Sequence, residues 1–466
     1  MDKLHNDIQS FIAANSDAIR RDIARLVAVD SVEGTPTDSA PFGEKPKAAL
    51  TLALDIAQEL GLGTRNCENY MGYAFVGGDG EDHIATITHV DVVPAGDGWT
   101  GDAFTLRERD GYIIGRGVQD DKGPSVICLY ALKYLLESGV ELRYPVRALL
   151  GTSEETGMKD VEYYLSHYTA PLFCFSPDAD FPLCNGEKGH VNGLVRAAQP
   201  AENVTDIRGG MAFNMIPDRA EATVKAEDLS STEFVTATEI EPGLWKLSAK
   251  GKSGHASTPQ GSKNAIGVLV DYLLANGIPS EGETPYYEAL AALHRDYTGA
   301  LLGVASHDDI FTPLTIIGGT IGVENGFAVQ SFDCRYPTGT DGDTIASQIQ
   351  RTAGAAAVIS VVEDSEPFYA SVDDPAVTAC LDAYRAVTGD SSAKPFTIGG
   401  GTYARYFPHA VSFGPDHPEK SRPAFAGAMH SADEAACFDE LTEALEIYIR
   451  AILSLEQLTP DELAGK

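Results

Sequence analysis

The chain has 466 residues, 43% of them hydrophobic, and a formal net charge of −34, so it is long enough for two domains and apolar enough to build a core in each. Acidity spread along the sequence excludes nucleic acid and anionic membrane surfaces as natural partners, and no apolar run approaches the roughly 20 residues that span a bilayer. Seven cysteines without a Cys-x-x-Cys pair argue against a disulfide framework or a thiolate metal site and point to the cytoplasm.

The polar N-terminus, Met1 to Asp7, begins a helical pattern through Ile8, Phe11, Ile12, Ile19, Ile23 and Leu26, and no secretory signal is expected. A strand-like run over 84–88 leads into His89-Val-Asp91. On an extended backbone these two side chains point the same way, so Asp91 can accept the free ring N–H of a metal-ligating His89. A strand-end histidine beside a turn aspartate is the equal alternative. Asp120-Asp121-Lys122-Gly123 then opens a helical pattern with Val126, Ile127, Tyr130, Ala131, Tyr134 and Leu135 that stops at Gly139. Its acids are either charges at a helix N-terminus or carboxylates turned inward by a backbone that Gly117 and Gly123 shape.

A second apolar run, 146–150, leads into Glu154-Glu155-Thr156-Gly157. Adjacent acids diverge, so Glu155 can ligate a metal while Glu154 stays free to take a proton from water as general base; a solvated acid pair in a polar loop is the alternative. A third run, 172–175, leads into Pro177-Asp178-Ala179-Asp180, where spacing leaves either aspartate open as a ligand. Cys128 and Cys174 fall inside apolar patterns and read as core residues. Three acid or histidine clusters thus follow buried strands, which is where open α/β sheets place their sites.

From about residue 189 to 366 the pattern changes to longer alternating strands, over 220–226 and 244–249 among others, with helical stretches near 266–274 and 344–351. This predicts an inserted α+β lid domain over 189–366, within a doubly wound α/β catalytic domain with a mixed sheet made of 1–188 and 367–466. The stretch 276–309 reads as long and irregular. His255 stands in a Gly/Ser/Pro-rich loop, 251–259, where a lone histidine is often only a surface residue. Arg335 falls on a strand-like stretch, and its planar fork suits a carboxylate as well as it suits a structural salt bridge. Gly399-Gly400-Gly401-Thr402 can present backbone N–H groups to an anion or form a turn, and it lacks the lysine ending of a phosphate loop. Beyond it, His430-Ser431-Ala432-Asp433 precedes a helix carrying Phe438, Leu441, Leu445, Tyr448 and Ile452. No internal repeat is visible.

Taken in order from His83 to His430, these clusters resemble the co-catalytic di-zinc metallopeptidases, a family that includes carnosinases, carboxypeptidase G, aminoacylase and succinyl-diaminopimelate desuccinylase. The runs Gly-Arg-Gly-Val-Gln-Asp-Asp-Lys-Gly-Pro at 115–124, Pro-Asp-Ala-Asp-Phe-Pro at 177–182 and Gly-Glu-Lys-Gly at 186–189 look most like the family's dipeptidase V group. The resemblance implies that His89 and Asp178 ligate one zinc, Glu155 and His430 the other, and that Asp120 bridges both. It makes Asp91 the orienting acid, Glu154 the general base and His255 the donor that meets the developing oxyanion. Asn214, Arg335, Gly400, Gly401 and Thr402 would read the substrate's terminal carboxylate. The implied activity is hydrolysis of short peptides, above all dipeptides, by a monomer rather than a homodimer, with two Zn2+ ions whose ligands Mn2+ or Co2+ can share. An N-acyl amino acid amidohydrolase is the alternative enzyme. An inactive homologue kept as a binding protein is the alternative outside catalysis, and the completeness of the clusters weighs against it.

Overall fold

Helix α1 (Lys3–Val27) buries Ile8, Ile12, Ile19, Ile23 and Leu26, the one-sided apolar stripe that its sequence carries. The computed structural model describes residues 3–466; Met1 and Asp2, where the helical pattern was expected to start, lie outside the described residues. The chain continues through α2 (Glu44–Glu59), β1 (Gly63–Cys67), β2 (Met71–Val76), β3 (Ile84–His89), α3 (Lys122–Ser138), β4 (Val146–Gly151), α4 (Lys159–His167), β5 (Phe173–Ser176) and β6 (Cys184–Glu187). Every residue of β3, β4 and β5 is buried, as expected of strands covered on both faces. Helix α3 is buried almost all round and stops where Gly139 turns left-handed at φ 64°, a backbone geometry cheap only for glycine.

The next stretch supplies β7 (Gly189–Ala197), β8 (Val204–Gly209), β9 (Arg219–Lys225), β10 (Val235–Glu241), β11 (Leu244–Lys250), α5 (Ala265–Ala275), α6 (Thr284–Arg295), β12 (Thr315–Glu324), β13 (Phe327–Tyr336), α7 (Gly342–Ala353) and β14 (Ala357–Ser365). After it come β15 (Phe368–Tyr369), α8 (Pro375–Thr388), β16 (Ala410–Ser412) and α9 (Phe438–Leu455).

Two compact units result: residues up to 185 with 369–396 and 401–466, and residues 186–368 with 397–400. In the first, strands run in the order β1-β2-β4-β3-β5-β16-β6-β15. The neighbours β4-β3-β5-β16 are parallel, whereas β1, β2 and β6 join antiparallel. Its core gathers Ile23, Leu54, Ile127, Leu150, Phe175, Val411 and Ile449. The second unit is an eight-stranded sheet in the order β10-β11-β9-β8-β12-β13-β7-β14, antiparallel at every step. It has its own core of Val195, Ile207, Leu247, Leu269, Leu290, Ile316 and Phe332. The architecture is the mixed α/β fold with an inserted α+β unit that the sequence predicts.

Two details differ from expectation. The stretch 276–309 is not irregular throughout, because α6 buries Tyr286, Tyr287, Leu290, Ala291 and Leu293 and has proline in its first turn, a position that needs no N–H. Residues 397–400 group with the insertion rather than with the C-terminal segment. They are tied there by the Lys188 amide donating to the Ile398 carbonyl at 3.0 Å, the Thr397 hydroxyl donating to the Ile310 carbonyl at 3.1 Å and Arg335 Nη1 donating to the Gly399 carbonyl at 3.2 Å. Among the described residues, no helix is long and apolar enough to cross a membrane.

Candidate metal centre and active site

The C-terminal ends of the parallel strands β3, β4 and β5 lie side by side, with His89 paired opposite Gly151. Each buried strand runs out into a polar turn, so the acids that follow are brought together at one edge of the sheet. After β4 the chain enters a tight turn, Glu154–Thr156, closed by Gly157 at φ 116°. The buried Asp160 fixes its start by accepting the amides of Thr152 (2.6 Å) and Ser153 (3.0 Å) and the hydroxyl of Tyr403. His89 is held at its backbone, where its amide donates to Asp121 Oδ2 at 3.1 Å and its carbonyl accepts from the Ser125 hydroxyl at 3.1 Å. Asp121 therefore anchors a neighbour, while Asp120 turns its carboxylate to the opposite task.

Asp120 stands between the two imidazoles: its Oδ1 is 2.9 Å from His89 Nε2 and its Oδ2 is 2.8 Å from His430 Nε2. Asp178 Oδ2 lies 3.7 Å from His89 Nε2, and Glu155 Oε1 lies 3.1 Å from His430 Nε2. Two donors on one tetrahedral zinc, each ~2.1 Å from the ion, are roughly 3.4 Å apart; the observed separations fall on either side of that value. The donor set, two imidazoles and two carboxylates around a shared third carboxylate, fits a pair of borderline divalent cations in number and chemistry. Spacing also groups Glu154 with His89 and Asp178, and Glu155 with His89 and Asp120, their ligand atoms all within 4.8 Å of one another. Asp180 goes elsewhere. It lies on the two-residue strand Ala179–Asp180, paired with Pro415–Asp416.

Asp91 organises the same edge. Its Oδ1 is 3.4 Å from His89 Nδ1, whose nearer partner is the Asp91 carbonyl at 3.0 Å. The Asp91 carboxylate also accepts the amides of Glu154 (3.3 Å) and Glu155 (3.2 Å), so one side chain sets the imidazole and both glutamates. Burial, reinforced by the charge of Asp178, raises the Glu154 carboxyl well above the usual range. Burial and then Asp120 push Asp178 up to about 7. Hydrogen bonds to Asp120 and Glu155 lift His430 to about 10. In His89 the acids Asp120 and Asp91 overcome the opposing effect of burial and raise it well above its ordinary value. Protons on the imidazoles thus balance the crowded carboxylates, a balance that bound cations would supply in their place.

Some supports were not legible in the sequence. Gln119, next to Asp120, donates to Asp416 Oδ2 at 2.6 Å and accepts from Arg422 Nη1 at 2.6 Å, while Arg422 Nη2 meets Asp416 Oδ1 at 2.5 Å. Asp433, three residues after His430, is pinned by Arg107 at 2.7 Å and by the Thr100 amide and hydroxyl. Asp160, Gln119 and Asp416 gave no signal because the contacts that tie them into the site, Asp160 with Tyr403 and Gln119 with Asp416, join residues far apart along the chain.

The other expected site residues divide between the units. In the inserted unit the Ser257 amide donates to His255 Nδ1 at 3.2 Å, which leaves the ring proton on Nε2. Burial and then the charge of Arg335 lower the His255 pKa, so the ring is a neutral donor near pH 7. The Asn214 carbonyl accepts from the Ala256 amide at 2.9 Å, which fixes that loop beside His255. Arg335 is already engaged: Nε and Nη2 donate to the two oxygens of Asp333 at 2.7 and 3.0 Å, as in the salt-bridge alternative. Gly400 belongs to the inserted unit and Gly401 to the other. Thr402 Oγ1 accepts the Ala404 amide at 3.1 Å and lies 2.9 Å from Ser412 Oγ, so its hydroxyl caps the short helix Tyr403–Tyr406.

Residues 85–454 match the profile of the peptidase family M20/M25/M40. The chain is 33% identical to a Beta-Ala-Xaa dipeptidase of Lactobacillus delbrueckii subsp. lactis, over 96% of this chain and 97% of that protein. It is also 33% identical to the putative dipeptidase YtjP of Bacillus subtilis, over 93% and 96%. Human carnosine dipeptidase 1 shares the fold, with a TM-score of 0.60 and 16% identity over 98% of this chain and 100% of that one. The chain belongs to the M20/M25/M40 peptidase family. It is a metal-dependent hydrolase of peptide bonds.

Proposed function

We propose that this hydrolase cleaves short peptides, above all dipeptides, with two divalent cations and Glu154 as general base. The observation that carries the reading is the placement of Asp120, whose two oxygens face the imidazoles of His89 and His430 at 2.9 and 2.8 Å. His89 and Asp178 would hold one ion, Glu155 and His430 the other, and Asp120 both; Zn2+ is the expected metal, and Mn2+ and Co2+ suit the same ligands. When bound, the ions supply Lewis acidity to the scissile carbonyl and to the attacking water. Glu154 takes a proton from that water as the new C–O bond forms, then delivers it to the leaving amine as the C–N bond breaks. Its raised pKa suits a group that has to hold a proton between those two moments. In this reading the neutral Nε2–H of His255 donates to the oxyanion, while Arg335, Asn214 and the backbone at Gly400, Gly401 and Thr402 read the terminal carboxylate. Seven cysteines without a disulfide agree with a cytoplasmic protein, which the same reading takes to act as a monomer.

The test measures turnover and metal content together. Glu154→Ala is expected to lose about 10²- to 10⁴-fold in kcat while keeping close to two ions per chain. Ordinary turnover removes the base assignment, and loss of one ion makes Glu154 a ligand. Free dipeptides run beside N-acetyl and N-succinyl amino acids, with chelator and then with each metal restored, separate a dipeptidase from an N-acyl amidohydrolase.

A further inference from the structure

Glu434 is completely buried and stands four residues after His430. Its Oε1 accepts three backbone amides of one turn, Gly117 at 3.0 Å, Gln119 at 3.1 Å and Asp120 at 3.3 Å. Its Oε2 accepts Arg116 Nη1 at 2.5 Å, and its carbonyl accepts the Gly115 amide at 2.9 Å. Arg116 is itself buried; its Nη2 donates to the Ala95 carbonyl at 3.2 Å, and its guanidinium lies 5.2 Å from the Trp99 ring centre. A buried carboxylate costs several kcal/mol unless paired and hydrogen-bonded, and here every partner but one is the backbone of the turn that carries Asp120. Had the fold needed only a packed contact between these loops, an apolar side chain of similar volume would have served.

We infer that Glu434 is a positioning residue for the metal centre, holding the turn of the bridging Asp120 in register with the loop of His430 so that both cations meet preset ligands. It touches neither substrate nor ion. It acts on the Asp120 backbone directly and on His430 through four residues of chain. Asp433 anchors the same loop from outside, to Arg107 and Thr100, and leaves the Asp120 turn untouched; Glu434 therefore links the two ligands.

This inference rests on the two-ion reading, and its test begins with metal-free protein. Glu434→Ala, titrated with Zn2+ by calorimetry, is expected to bind 10- to 100-fold more weakly than the native chain, the usual effect of removing a ligand's support. Amide exchange at Gly117, Gln119 and Asp120 in the same metal-free protein should accelerate, and kcat lost at limiting Zn2+ should return at excess Zn2+ with KM within threefold of native. Glu434→Gln keeps the shape and one accepting oxygen for the three amides but turns an NH2 group toward Arg116. It should fall between native and alanine and decides the matter if the alanine variant does not fold. Native Zn2+ affinity together with native amide exchange in the glutamine variant, or in a folded alanine variant, overturns the role. Failure of the native chain to bind two ions defeats the two-ion reading instead, so the two failures are distinguishable.

Discussion

Asp91 shows how much one side chain can decide. It lies 3.4 Å from the ring of His89 and accepts the amides of Glu154 and Glu155, so a change there reaches a proposed ligand of each proposed cation and the proposed base together. Asp91→Asn keeps the volume but sets an NH2 group against one of those amides. It is expected to cost about 10- to 100-fold in metal affinity or kcat while secondary structure stays native, measured by Zn2+ titration, steady-state kinetics and circular dichroism. Affinity and rates equal to native would mean that the Asp91 carbonyl alone orients His89. At this scale the sequence was informative wherever chemistry and position coincided. His89, Glu155 and Asp178 could be singled out because each follows an apolar run that ends in a turn. Asp160, Gln119 and Glu434 could not, because a lone acid or amide shows its purpose only through partners many residues away.

Strand β4 carries the same logic to the element. Gly151 ends it beside His89, and a Cβ there would lie 2.0 Å from the Tyr403 hydroxyl and 2.7 Å from Asp160 Oδ2, the groups that fix the turn leading to Glu154. Gly151→Ala therefore forces apart a packed polar contact and should destabilise by about 1–3 kcal/mol, with a loss of kcat exceeding any change in KM. Gly322→Ala, whose Cβ meets nothing within 4 Å, is the control and should leave both unchanged. Thermal denaturation and kinetics of the pair decide it, and equal behaviour would show that the β4 turn adapts freely. The main strands and helices were legible because their burial pattern is their sequence pattern. Helix α6 does not stand out in the sequence, although Tyr286, Leu290 and Leu293 keep helical spacing behind a first-turn proline. Polar and glycine-rich flanks hid it within a longer stretch.

For the molecule as a whole, two separate cores mean two separate sources of stability, and the inserted unit carries its own titratable weakness. His294 on α6 sits with Nε2 at 3.2 Å from Gln330 Oε1 and Nδ1 without a hydrogen-bond partner among the described residues. Burial pushes its pKa down to about 4 from 6.5. Between those values the unfolded chain takes up a proton that the folded unit refuses, so stability rises with pH across the window and is lost on acidification, by up to about 3 kcal/mol. Native protein melted from pH 7 to pH 4 should lose more stability than His294→Gln measured alongside it. Parallel curves would show that the ring takes up its proton without loss of fold. A change of periodicity near residue 189 was legible, and the second compact unit begins at 186. The allegiance of 397–400 was not, since it is set by single hydrogen bonds to Lys188, Ile310 and Arg335.

Strand β16 lies between β5 and β6, although the whole inserted unit separates it from them along the chain. During synthesis β5 therefore emerges with one edge bare and waits for residues 410–412 before that edge is sealed, and His430 follows later still. An unfinished polypeptide exposes a sticky border that invites chaperones, and it lacks one of the five proposed donors until nearly the last helix has been made. In the two-ion reading, a chain built in this order can cut peptides only after His430 has been added.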